Sequence, residues 1–167
     1  YDFKIADINV EFTVNDSYEL IATFREDNSN YDLIRERATK TVLGILTERF
    51  FLKWEDGGRD RARFDRDPQA LIQQTPNFKT LMRNMYPEVT PESLLKKLKK
   101  SPNEFIKYAT RYLEFEDVQN WLQYVVPEPF EIRCSDVPLL DYIEFCLKGK
   151  QGTAWGHIAI DEAQNLT

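Results

Sequence analysis

The stretch that decides the fold class is YDLIRERATKTVLGILTERFFLKW, from Tyr31 to Trp54. Leu33, Ile34, Ala38, Val42, Ile45, Leu46 and Phe50 recur at three and four residues, while Arg35, Glu36, Lys40 and Glu48 stand outside that stripe. A period near 3.6 with charges on the opposite side predicts one long amphipathic helix. Asn28-Ser29-Asn30 before it is rich in capping residues, and Glu55-Asp56-Gly57-Gly58 after it is a turn that no helix should cross.

Before this helix the period is two. Ile8, Val10, Phe12 and Val14 alternate with Asn9, Glu11 and Thr13, the pattern of a half-buried strand. Asn15-Asp16-Ser17 supplies turn chemistry, and Tyr18, Leu20, Ala22 and Phe24 resume the alternation, so a β-hairpin is expected. The rival reading is a helix from Asp16, because Asp16 and Glu19 have capping-box spacing and Ile21 and Phe24 lie three apart.

After Gly58, the stretch Arg59–Asp67 alternates Arg and Asp around Phe64 and reads as an exposed loop. Short helices separated by prolines follow. Phe78, Leu81, Met82 and Met85 mark one that stops at Tyr86-Pro87. Thr90 caps the next, with Pro91 at its first position and Glu92 in its first turn. Ser101-Pro102-Asn103-Glu104 opens another that buries Phe105, Ile106, Ala109 and Leu113. Val118, Trp121, Leu122 and Val125 form a stripe stopped by Pro127 and Pro129. Ser135 or Asp136 caps a helix carrying Leu139, Leu140, Ile143 and Leu147, and Gly149 is placed to end it.

Composition narrows the function classes. With 42% hydrophobic and 30% charged residues, the chain is globular and large enough for one real core. The net charge of −6 argues against a surface devoted wholly to nucleic acid, although a local basic patch remains compatible with it. No apolar run approaches the roughly 20 residues that span a bilayer, so no membrane role is expected. Cys134, Cys146 and the single His157 are too few for a disulfide framework or a zinc site, which suits a reduced, cytoplasmic setting.

The most specific motif comes last. Trp155-Gly156-His157-Ile158-Ala159-Ile160 is a short apolar run of the kind a buried parallel strand shows, and Asp161-Glu162-Ala163-Gln164 closes it. P-loop ATPases present their Walker B acids in this way, at the carboxyl end of a core strand where open α/β sheets bind ligands. Asp161 can offer a hard oxygen to the Mg²⁺ of a nucleotide, and Glu162 can orient a water and take its proton. The plain alternative is two acids that follow a strand and cap a helix. A phosphate cradle would need G-x-x-x-x-G-K-[ST], yet the one Gly-Lys, Gly149-Lys150, is followed by Gln151. The chain is therefore expected not to hydrolyse ATP alone. It opens at Tyr1 and stops at Thr167 just after the motif, which reads as a fragment of a larger protein.

Asp-Glu-Ala-Gln after a hydrophobic strand resembles motif II of the UvrD/Rep-like superfamily 1 helicases. Within them the chain is most similar to the HelD-type, or helicase IV-like, branch of RNA-polymerase-associated ATPases. The resemblance rests on Tyr86–Leu95 (YPEVTPESLL), Asp136–Asp141 (DVPLLD) and Gly156–Gln164 (GHIAIDEAQ), in the order those proteins show between Walker A and Walker B. It is firm from about Phe78 onward and looser before. It implies a mainly α (α+β) architecture: a helical insertion with a small N-terminal β-hairpin, ending in one strand of a P-loop α/β core. Residues 1–67 are then a hairpin, long helix and charged loop. Residues 68–150 are a helical segment like the 1B insertion, and 151–167 the motif II strand.

By the same resemblance the cofactors are ATP and Mg²⁺. Asp161 is the metal ligand, Glu162 the catalytic base beside it, and Gln164 a residue that couples nucleotide state to movement. The branch usually carries a second Asp after Asp-Glu-Ala-Gln, where this chain has Asn165. The partners implied are core RNA polymerase, bound nucleic acid (DNA before RNA) and the rest of the same helicase chain. Within such a motor the fragment's own part is a protein-binding module that docks on the polymerase. The alternative is a UvrD/Rep-type DNA helicase with no polymerase role.

The remaining candidates have plainer readings. Lys96-Lys97-Leu98-Lys99-Lys100 could meet phosphate, but a solvated helix end whose cations complement the carbonyl dipole accounts for it. Arg59, Arg61, Arg63 and Arg66 could grip an acidic surface, yet Asp60, Asp65 and Asp67 cancel most of their field, and a flexible mixed-charge loop is favoured. His157 reads as a structural hydrogen-bonder, the tryptophans as core, and the two cysteines as buried thiols.

Overall fold

The computed structural model describes residues 1–110, 113–123 and 131–149. It is mainly helical, with a two-stranded antiparallel sheet at the N-terminus. Strands β1 (Asp2–Ile5) and β2 (Ile8–Glu11) pair Asp2 with Glu11 and Ile5 with Ile8. Their two-residue turn puts Ala6 at φ 54°, a left-handed conformation uncommon for a residue with a Cβ. Phe3, Ile5, Val10 and Phe12 all point to the core, as period-two alternation demands.

The hairpin thus lies earlier than the alternation after Asn15 suggests, and the expected second strand is helix α1 (Val14–Phe24). Thr13 caps it: the Thr13 hydroxyl accepts from Asp16 N–H, and the Asp16 carboxylate accepts from Thr13 N–H at 2.6 Å. That reciprocal box satisfies two backbone donors locally, and it lies three residues before the rival Asp16–Glu19 pairing. Leu20 is buried while Tyr18 is 69% exposed, so two residues of the supposed alternating face part company.

Helix α2 (Tyr31–Asp56) starts as the sequence predicts, with the Asn30 side chain accepting from Leu33 N–H, but it continues past Trp54 through Glu55 and Asp56 of the expected turn and ends at Gly57. Its buried residues are Ala38, Val42, Leu43, Leu46, Phe50 and Phe51. Leu43 and Phe51 widen the expected stripe because α2 is packed from more than one side. It meets β2 and α3 (Pro68–Gln74) along its length and also meets α8 (Val137–Lys148). Thr75 ends α3 and caps α4 (Pro76–Met85). Thr90 caps α5 (Pro91–Lys100) with Ser93 as the reciprocating partner, and α6 (Pro102–Ala109) and α7 (Phe115–Gln123) follow.

Two apolar clusters hold these elements. The larger joins the hairpin to α2, α3 and α4 through Phe3, Phe12, Leu46, Phe50, Ile72 and Leu81, all essentially without solvent exposure. Burial of each such side chain contributes roughly 1.5–3 kcal/mol. The smaller gathers Leu95, Ile143 and Leu147, with Tyr31, Leu139 and Leu140 packed against them.

The Arg59–Asp67 loop is exposed as expected, but Phe64 anchors it. That ring sits 4.9 Å from both Phe50 and Trp54, and Arg59 lies over the Trp54 ring. Three expectations are corrected. Leu113 falls outside α6 and is exposed, because the helix ends at Ala109. Cys134 and Cys146 are exposed, Cys146 lying off the Ile143–Leu147 face that α8 buries. Lys99 is buried. Val118 is buried in α7, whereas the Trp121 and Leu122 side chains and Val125 lie outside the described residues. Gly149 ends α8 at φ 77°. Among the described residues no helix is long and apolar enough to cross a membrane.

Candidate functional site

Asp161, Glu162 and Gln164 lie outside the described residues, as do His157 and the strand expected before them. The structure does place the other two segments that carry the family resemblance, and it brings them together. Residues 86–95 lie beside the first turns of α2. The Tyr31 hydroxyl donates to the Pro87 carbonyl at 2.8 Å, and Arg35 Nε donates to the Tyr86 carbonyl at 3.1 Å. Arg35 also pairs with Glu88 at 2.7 Å. Burial pushes both the Tyr31 and the Tyr86 phenols above their ordinary range.

Residues 136–141 reach the same region through α8, whose Ile143 and Leu147 close over Leu95 of α5. The polar counterpart is an ion pair between Lys99 and Asp136, whose side chains are 6% and 10% exposed. Asp136 also accepts from Arg133 N–H at 3.0 Å. Burial works to raise the Asp136 carboxyl, but the Lys99 ammonium and the Arg133 N–H outweigh it and hold the group below its usual range. Asp136 therefore does not cap α8 with its side chain. Lys99 corrects the expectation of a solvated lysine run: it sits four residues after Leu95, on the face that α5 buries.

Two arginines of the charged loop are held by local partners. Arg59 holds both carboxylate oxygens of Asp7 at 2.9 and 2.6 Å, tying the loop to the hairpin turn. Arg61 pairs with Glu48 and lies over the Phe51 ring. Both arrangements agree with the mixed-charge reading, although here the loop is packed.

Sequence reasoning missed a cleft of about 530 Å³ between α2 and α4, with Arg35, Lys79, Arg83 and Glu88 around a floor of Phe78 and Met82. The signal was present in α4, where Lys79 and Arg83 stand one turn apart beside the apolar stripe. Among the described residues no group of three or more His, Cys, Asp or Glu side chains is placed to hold a metal ion. Comparison with protein-family models, with curated proteins and with solved structures finds no match for this chain.

Proposed function

We propose that this chain is part of an ATP-driven motor: the segment between the two nucleotide motifs of a HelD-like superfamily 1 ATPase, working in the cytoplasm to remodel or recycle RNA polymerase and displace its nucleic acid. The observation that carries the reading is Ile158-Ala159-Ile160-Asp161-Glu162-Ala163-Gln164, an apolar lead-in delivering two adjacent acids and a glutamine. A helical body preceded by a small hairpin is the architecture such an insertion would have, and it supports the reading without carrying it.

Asp161 and Glu162 suit a hard divalent cation by their chemistry, since both offer carboxylate oxygens. Asp161 holds Mg²⁺, which when bound neutralises charge on the nucleotide phosphates. Glu162 orients the attacking water and accepts its proton, and Gln164 senses the nucleotide's state. The phosphate cradle comes from elsewhere in the motor, because these 167 residues contain no G-x-x-x-x-G-K-[ST]. The helical part of the chain is the polymerase-docking module.

Glu162→Gln in the whole motor is the direct test. It should abolish ATP turnover while nucleotide still binds, because the amide keeps the shape but cannot take the proton. Undiminished turnover would sink the assignment. Co-migration of the motor with core RNA polymerase on a sizing column, weakened by ATP, is the expected result for the partner. ATPase stimulated by single-stranded DNA with no polymerase complex would instead make it a UvrD/Rep-type helicase.

A further inference from the structure

None of the described residues that line the cleft between α2 and α4 is assigned a chemical role above. Helix α4 explains its form. Leu81, Met82 and Phe78 turn into the core, and the borders of that buried arc differ. On one border Asn77 and Asn84 reach the hairpin, donating to the Asp2 carbonyl and the Tyr1 hydroxyl. On the other, Lys79 and Arg83 stand one turn apart at the cleft mouth, exposed and without an acidic partner among the described residues. Arg35 forms the facing wall with its guanidinium already paired to Glu88. Three cations against one carboxylate leave the cleft net positive in a chain whose total is −6.

We propose that this cleft docks a short acidic segment of a partner protein, with one apolar side chain on the floor and flanking carboxylates on Lys79 and Arg83. The reading of Asp161 and Glu162 is not needed for it. Three observations select this occupant. Phe78 and Met82 are each only 6% exposed, which leaves too little apolar surface on the floor for a base to stack on. Two free cations within one helical turn match two carboxylates on a peptide, whereas a nucleic-acid strand is held by a longer track of phosphate contacts. A volume of about 530 Å³ admits a side chain and its neighbours but not a second helix laid along the groove.

The test is selection of a random peptide library on the immobilised chain, repeated on Lys79→Glu/Arg83→Glu. Both positions are exposed and unpaired, so the double variant should keep the parent's circular dichroism, and Arg25→Glu controls for charge change elsewhere. Enriched peptides should carry Asp or Glu on both sides of a Leu, Ile or Phe. The double variant should bind them roughly tenfold or more weakly, and Arg25→Glu should bind them as the parent does. No enrichment, peptides that the double variant retains, or equal loss in Arg25→Glu overturns the proposal. So does a thymidine oligonucleotide that binds through Lys79 and Arg83 where no peptide does.

Discussion

Asp16→Asn should lower the stability of the chain by about 2 kcal/mol at neutral pH, and the loss should shrink on acidification. Asp16 is 6% exposed and joins three elements. Its carboxylate accepts from Thr13 N–H and the Thr13 hydroxyl at the start of α1, and from Arg49 of α2 through both terminal nitrogens at 2.6 Å. Arg49 also donates to the Glu11 carbonyl at the end of β2. The Arg49 guanidinium, opposed in part by burial, holds the Asp16 carboxyl at about 2 instead of its ordinary 3.8. At about 1.4 kcal/mol per tenfold, that difference is worth about 2 kcal/mol of folding free energy. The folded-state value is depressed, so the contribution is complete above the unfolded value near 4 and disappears as the pH falls through about 2. At pH 3 roughly half should remain, since the folded carboxylate is still mostly ionised while its unfolded counterpart is mostly protonated.

Urea unfolding of the parent and Asp16→Asn, followed by circular dichroism at pH 7 and pH 3, reads this directly. The asparagine keeps the side chain's shape and can still accept from Thr13 N–H, so the variant isolates the charge. A gap of similar size at both pH values would refute the electrostatic reasoning. A gap below about 0.5 kcal/mol at pH 7 would place the pair among surface ion pairs of little worth, despite its burial.

Lys99→Met should destabilise by about 3 kcal/mol in a neutral denaturation series, because it leaves the Asp136 carboxylate buried without its cation. Lys99→Met combined with Asp136→Leu should recover most of that loss, and a double variant no better than the single would show that the pair is not the unit. Gly149→Ala should lower stability by roughly 1–2 kcal/mol: φ is 77° there, and a Cβ would stand 2.9 Å from Nδ2 of Asn30. Since Asn30 caps α2, thermal melting should shift with it, and an unchanged melting temperature would mean the α8 terminus relaxes freely.

What the sequence determined by itself was local. The long helix from Tyr31, the Pro and Thr caps at Thr90-Pro91, and the glycine ending α8 follow from backbone chemistry within a few residues, and each stands where it was expected. The acids Asp161 and Glu162 are likewise recognised by their immediate neighbours, and they remain a sequence reading. Period-two alternation after Asn15 misled because residues two and four apart satisfy a strand pattern while every fourth residue also satisfies a helix, and the Thr13–Asp16 box settled the ambiguity for α1. Tertiary structure alone decided which charges are buried. Lys99 lies in a run of lysines that differ little by sequence, and it becomes a core residue because α8 brings Asp136 over α5. It also placed Arg35 opposite Lys79 and Arg83, more than forty residues away in the chain, and so made a positive cleft on an acidic protein. Distant charges meet only after apolar burial has fixed the helices, and no local pattern encodes that meeting.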